Sequence, residues 1–290
     1  MLGRSLLACA NGDEVWASGR SPAPVDGRSY LAGDLSEEGT ARRILGEVRP
    51  DWVIHTAAVT DVDLCETDRD LARKVNLDTV AHMVEACAAV DAGLLHISTD
   101  YVFDGGDGPY GEDAPTRPLS FYGDMKLQSE RLVLDAGIEG IVLRTLWLYG
   151  YVPGARRNLV TWPLHEMAAG RPLKLVDDQW GNPTYVHDLA LALYELCRLR
   201  ATGLFHMGGS AYMTRYQMAL EVARFFGLDA GLVQPTTTAA IGQKAPRPLR
   251  SGLRSEALEA LLGRPPIGFA EGLERMAADA DFRRDFSGLL

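Results

Sequence analysis

Thr99, Tyr122 and Lys126 are the residues whose types and spacing could do chemistry in concert. The segment Ser98-Thr99-Asp100-Tyr101-Val102-Phe103-Asp104-Gly105 follows the apolar run 94–98, which places a hydroxyl pair at the carboxyl end of a strand. Tyr122 and Lys126 stand four residues apart in the helical pattern 120–136, so they share one face. A phenol with a pKa near ~10 is a poor acid at neutral pH, and a nearby ammonium favours its ionised form and lowers that pKa. The trio suits proton donation by Tyr122 to a carbonyl as hydride arrives, with Thr99 hydrogen-bonding the same oxygen. A lone Tyr-x-x-x-Lys usually means helix packing and a solvated lysine. Here the pair follows a strand-end hydroxyl by 23 residues and uses one of only four lysines, the other 25 of 29 basic residues being Arg.

The elements that must position these residues are legible as an alternation. Apolar runs at 14–18, 52–56, 94–98 and 140–145 read as strands, and 40–47, 69–89 and 120–136 read as amphipathic helices. This is the βαβ rhythm of an α/β, Rossmann-like, doubly wound parallel sheet, whose ligands bind at the carboxyl ends of the strands. After Gly150 the rhythm loosens, with helical patterns at 159–168, 187–198, 216–226 and 270–280 between turns rich in Pro and Gly. We read residues 1–150 as a dinucleotide-binding domain and 151–290 as a smaller C-terminal, substrate-binding lobe partly interwoven with it.

The beginning departs from the rhythm. Met1-Leu2-Gly3-Arg4 leads straight into an apolar helix at 5–10, so the first strand and most of the glycine turn that open such a sheet are missing. Gly3 stands where the last glycine of a phosphate turn would be. Either the chain begins at an internal Met or the fold lacks its first strand. Losing a mid-sheet strand leaves buried backbone groups unpaired at about 1–3 kcal/mol each. On that cost we expect an incomplete N-terminus.

Composition narrows the function classes. A net charge of −10 argues against nucleic-acid or anionic-membrane binding, while leaving room for an anionic small molecule held by a few arginines. No long apolar run or signal peptide is visible, so the cytoplasm is the default location. The dispersed cysteines Cys9, Cys65, Cys87 and Cys197 form no metal or redox pair, and three of them sit in apolar helical patterns as small hydrophobes. Asp61 and Asp63 read as solvated loop acids, and no metal site is expected. Arg20 follows the strand at 14–18, where an arginine accommodates a 2′-phosphate and an acid would bind a ribose hydroxyl; this favours NADPH over NADH. His55, inside an apolar run, is expected to pack. Arg247, between Pro246 and Pro248, carries a fork suited to a diphosphate.

STDYVFDG, PYGEDAP and PLSFYGDMKLQSE, with LRTLWLYG at 143–150 and VDDQWGNPTY at 176–185, resemble the dTDP-4-dehydrorhamnose reductase family of the extended short-chain dehydrogenase/reductase superfamily in order and spacing. The resemblance implies a catalytic triad of Thr99, Tyr122 and Lys126, with Lys126 also holding the nicotinamide ribose. It places Asp34 and Leu35 at the adenine edge, Ala57 and Ala58 beside the nicotinamide-side ribose and phosphates, and Asn76 as support for the lysine. Asp100, Tyr101 and Trp147 would touch the sugar nucleotide, with Asn158, Gln179, Thr184 and Arg247 as further substrate contacts. Met125 before the lysine, Leu146 beside the tryptophan and the absent glycine turn depart from the family pattern. The implied activity is NADPH-dependent reduction of the C4 ketone of a nucleotide-linked deoxysugar, dTDP-4-dehydro-L-rhamnose first. Two alternatives stay open. The regulatory β subunit of methionine adenosyltransferase resembles the same family and binds a partner; 205–209 and 213–216 are similar to that branch. A nucleotide-sugar epimerase shares the triad. A homodimer is kept among the expected assemblies.

Overall fold

The computed structural model describes residues 1–21 and 29–289. The chain opens with α1 (Leu2–Cys9), then β1 (Trp16–Gly19), β2 (Ser29–Ala32), α2 (Thr40–Val48) and β3 (Trp52–His55). Next come α3 (Val62–Thr67), α4 (Arg69–Arg73), one π-helical turn at Lys74–Asp78, α5 (Thr79–Val90), β4 (Gly93–Thr99), α6 (Phe121–Leu134) and β5 (Gly140–Thr145). The remainder includes β6 (Leu148–Tyr149), α7 (Thr161–Ala168), β7 (Leu173–Val176), β8 (Trp180–Gly181), β9 (Thr184–Tyr185), α8 (Val186–Arg198), β10 (Gly203–Met207), β11 (Met213–Thr214), α9 (Arg215–Phe225) and β12 (Val233–Thr236).

A parallel sheet ordered β10-β5-β4-β3 forms the centre. All of β5 is buried, as is all of β4 except half-buried Ile97, so these strands are apolar on both faces and do not alternate. Helices cover the sheet on both sides. Leu2 and Leu6 of α1 pack with α8 against Leu95, Ile141 and Leu143, whereas α2 and α5 pack with Leu94 and Val142. A third core, from Tyr149 to Phe286, fills the C-terminal part. Strand β10 returns from beyond residue 200 to extend the central sheet.

Three expected elements are corrected. The helix expected at 69–89 is broken into α4, the π turn and α5, because Asp68 caps a fresh start at Leu71 and the π turn inserts a residue around Asn76. The strand expected at 14–18 runs from Trp16 to Gly19, and the helix expected from Ser120 begins at Phe121 with Ser120 as its cap.

Strands β1 and β2 pair with each other and not with the central sheet. Between β1 and β3 the described residues hold no strand. A cavity of about 910 Å³ stands there, lined by Trp16, Ala17 and Ser18 of β1, Trp52, Val53 and Ile54 of β3, Leu6 and Leu7 of α1, and Ile44 and Leu45 of α2.

Candidate active site

Thr99, Tyr122 and Lys126 converge at the carboxyl end of β4, all of them buried. Thr99 ends the strand, and its hydroxyl accepts from the Tyr101 N–H at 3.2 Å, starting the short 3₁₀ turn Asp100–Val102. Ser120 fixes the entry of α6 by accepting from the Gly123 N–H at 3.2 Å, which sets Tyr122 in the first helical turn. The Tyr122 hydroxyl faces the Thr99 side chain, which works against the upward push of burial on the phenol. The two groups needed to hold one carbonyl oxygen are thus already adjacent.

Gly123 makes that adjacency possible. A Cβ there would lie 2.2 Å from the Tyr101 carbonyl oxygen, so α6 touches the 3₁₀ turn backbone to backbone. Gly123→Ala is expected to cost about 1–3 kcal/mol in overpacking and to displace Tyr122 from Thr99. Urea denaturation and a fall in any Tyr122-dependent activity check this.

Burial pushes the Tyr122 phenol above its ordinary value, whereas the spacing suggested that Lys126 would lower it. The reason is where the lysine points. Its Nζ lies 2.7 Å from Nε2 of His96, and His96 Nδ1 lies 3.2 Å from Nδ1 of His55. The two imidazoles stack with centroids 5.4 Å apart. The Ser129 hydroxyl also lies 3.0 Å from His96 Nε2, and His55 Nε2 has no partner among the described residues. Burial, together with the Lys126 charge, pushes both histidines well below the usual range, His55 to about 3, so both are neutral. His55 is packed as expected, but in a polar chain that apolar periodicity could not reveal.

Burial likewise pushes the Lys126 ammonium down to about 7, partly opposed by Glu130. A lysine ordinarily at 10.5 that falls to about 7 binds its proton in the unfolded chain, not in the folded one, between those values. Stability from this group therefore rises with pH across that window. Between pH 7 and 9 the expected gain is about 1–2 kcal/mol. Above pH 9 the buried thiols of Cys65, Cys87 and Cys197, all shifted upward by burial, pull the other way. Lys126→Met should flatten the rise, which thermal melts at several pH values will read.

Asn76 sits in the π turn. Its amide accepts from the Val59 N–H at 2.8 Å and donates to the Val59 carbonyl at 3.0 Å, clamping the loop that carries Ala57 and Ala58. Asp34 accepts from the Ser36 N–H and hydroxyl in a local turn, while feeling the charge of Arg20 and Lys74. Leu35 and exposed Arg20 line the cavity beside β1, and Gly3 lines it from α1, where a Cβ would meet only Thr56 Oγ1 at 3.4 Å.

On the substrate side, Asp100 is buried and accepts from the Thr99 hydroxyl at 3.0 Å and from Ser251, burial pushing its carboxyl up to about 6. Tyr101 packs edge-on against Tyr122, with ring centroids 5.7 Å apart. Trp147 takes a left-handed backbone conformation, φ 46°, and carries the Arg215 guanidinium 5.1 Å above its ring. Arg215 and Arg247 both act on the Tyr101 hydroxyl, and the Arg215 Nε has no partner among the described residues. Arg215 was seen in the sequence only as part of a resemblance; its role needed the fold. Arg247 pairs with Asp63 at 3.1 Å, and Asp63 also accepts from the Ala245 N–H. Asp63 is therefore a clasp on the proline loop and not the solvated acid expected.

The remaining sequence candidates are held by protein partners. Asn158 donates to the Gly150 carbonyl and accepts from the N–H groups of Val160 and Thr161, capping α7. Gln179 donates to Thr238 and Gln243, and Thr184 to the Asn182 carbonyl.

The family described as the RmlD substrate binding domain covers residues 1–282. The chain belongs to the dTDP-4-dehydrorhamnose reductase family. It is 36% identical to dTDP-4-dehydrorhamnose reductase of Mycobacterium tuberculosis over 281 residues, 92% of this chain and 90% of that protein. It is also 32% identical to the β subunit of methionine adenosyltransferase 2 of Bos taurus over 261 residues, 87% and 78% of the two chains. The crystal structure of dTDP-4-dehydrorhamnose reductase from Bacillus anthracis in complex with NADP superimposes with a TM-score of 0.83 at 28% identity, covering 95% of this chain and 94% of that one. The Rossmann-like α/β fold expected from the alternation is the fold of this family. No helix among the described residues is long and apolar enough to cross a membrane.

Proposed function

We propose that this chain reduces the C4 ketone of dTDP-4-dehydro-L-rhamnose with NADPH, giving dTDP-L-rhamnose. Family membership makes it an NADP-dependent oxidoreductase acting on deoxysugar ketones; the particular sugar is our reading. The observation that carries it is the facing Thr99–Tyr122 pair with buried Lys126 at one strand end.

The residues fit the cofactor at its two ends. A buried lysine with only neutral imidazole beside its amine is short of acceptors, which ribose hydroxyls would supply. Arg20 at the end of β1 suits the 2′-phosphate. When bound, the nicotinamide would supply the hydride for the ketone carbon. Tyr122, kept neutral by burial, holds its proton on the phenol oxygen and gives it to the ketone oxygen, while Thr99 donates a hydrogen bond to that oxygen. Ala57 and Ala58, fixed through Asn76 and Val59, leave room for close approach. Arg215 and Arg247, converging near Tyr101 and Trp147, suit the diphosphate and base of the nucleotide-sugar.

A partner-binding role like that of the methionine adenosyltransferase β subunit keeps support from the 32% identity. Titration of the folded chain with NADPH, followed by tryptophan fluorescence, separates the two together with turnover. Saturable binding with consumption of NADPH on adding the keto-sugar supports the reductase. Saturable binding with no turnover supports the partner role. An epimerase would keep its cofactor tightly held and would release no oxidised NADP. The cytoplasm as compartment and a homodimer as assembly belong to the same proposal.

A further inference from the structure

We infer that Asp100 is the positioning residue for Thr99, deciding whether the Thr99 hydroxyl offers its proton to the ketone oxygen or keeps it turned inward. This rests on the reductase reading above. A threonine hydroxyl has one proton to donate and two lone pairs to accept with. Here the proton goes to Asp100 Oδ1 at 3.0 Å and one lone pair takes the Tyr101 N–H at 3.2 Å. The remaining face is turned to the Tyr122 hydroxyl. No donor is left for a substrate. An ionised carboxylate only accepts, so while Asp100 is charged Thr99 meets the ketone oxygen with a lone pair, which repels it.

The second carboxylate oxygen is held as firmly. Ser251 donates to Oδ2 at 2.5 Å, and its own N–H is fixed on the Trp180 carbonyl at 3.2 Å. Asp100 and Ser251 are each 2% exposed, so both contacts lie away from bulk solvent. A proton on Oδ1 reverses the first contact. The carboxyl then donates to Thr99, Ser251 keeps its place on Oδ2, and the Thr99 proton turns outward beside that of Tyr122. The ketone oxygen now meets two donors. Burial pushes the carboxyl up to about 6, against the pull of Ser251, Thr99 and the Arg215 charge, so both forms are reached near neutrality. The charged and titratable groups facing Asp100 are Arg215 of α9, Tyr101 of its own turn and Tyr122 of α6. Arginine keeps its charge and burial raises both phenols. Among these groups Asp100 is therefore the one that changes charge between about pH 5 and 8.

The rate of hydride transfer from NADPH to dTDP-4-dehydro-L-rhamnose is expected to fall by about tenfold or more from pH 6 to 8, as Thr99 loses its outward proton. In Asp100→Asn the amide donates to Thr99 at every pH and keeps its oxygen for Ser251. The fall then shrinks to the part that Lys126 contributes in the same window. Ser251→Ala removes a hydrogen bond that holds the carboxyl down, and should move the fall upward by about one pH unit. A carbon-13 titration of the Asp carboxyls reads the contact without turnover, the Asp100 signal being the one lost in Asp100→Asn. Thr99→Val removes a donor to the charged form, so it should raise the Asp100 midpoint by about one unit. An unmoved midpoint in folded Thr99→Val, or an undiminished fall in folded Asp100→Asn, would overturn the inference. A parent that oxidises no NADPH at any pH would overturn the reductase reading instead, and a raised midpoint would then still support the hold of Asp100 on Thr99.

Discussion

Tyr122→Phe is expected to lower turnover by about 10²–10⁴-fold with little change in nucleotide-sugar affinity. The substitution removes one hydroxyl from a buried ring that keeps its packing against Tyr101, so the fold has no reason to fail. What is lost is the proton that must reach the ketone oxygen. Because burial raises the phenol, its neutral donor form persists through the whole physiological range. The variant's residual rate should therefore show no new dependence on pH between 6 and 9. Steady-state rates for the variant and parent at several pH values check both statements. A loss appearing in KM alone would place Tyr122 in binding and remove it from the chemistry.

Arg144→Met is expected to destabilise the chain by about 3–5 kcal/mol, the second large effect. Arg144 and Glu130 form a bidentate pair, with 2.7 and 2.8 Å contacts, between β5 and α6, and both side chains are almost fully buried. Ser98 donates a third hydrogen bond to the same carboxylate, and His206 of β10 faces the guanidinium at 3.2 Å. Removing the arginine leaves a carboxylate stranded in the core one turn from Lys126. The pair Glu130→Leu with Arg144→Met should recover much of the loss, because two apolar side chains leave no charge behind. Denaturant titrations of the two single variants and the double variant measure this coupling. Additive losses would mean that the two groups act separately.

The sequence carried some of this and could not carry the rest. Strand ends were legible wherever an apolar run stopped at a hydroxyl, as at Ser98 and Thr99, because a parallel strand buried on both faces reads as an unbroken run. The i,i+4 spacing of Tyr122 and Lys126 gave their shared face directly. The direction of the lysine amine was not legible, since it depends on His96 from β4 and His55 from β3, two residues 41 apart that meet only across the sheet. The Arg144–Glu130 pair hides for the same reason: one residue lies on β5 and the other on α6, and they meet only in the fold. Arg215 looked like one arginine among 25 until the fold set it over Trp147. Strand β10, half-buried at 203–205, pairs with β5 across the chain, and only the fold shows which strand it joins.

The central claim is that this chain is a reductase of a dTDP-linked 4-keto sugar, and one measurement tests it most directly. The purified protein is mixed with NADPH and dTDP-4-dehydro-L-rhamnose, and cofactor consumption is followed together with the nucleotide-sugar product. The account expects one NADPH oxidised for each dTDP-L-rhamnose formed, with the oxidised cofactor released and the rate abolished in Tyr122→Phe. A folded chain that binds NADPH yet consumes none with this sugar would contradict it.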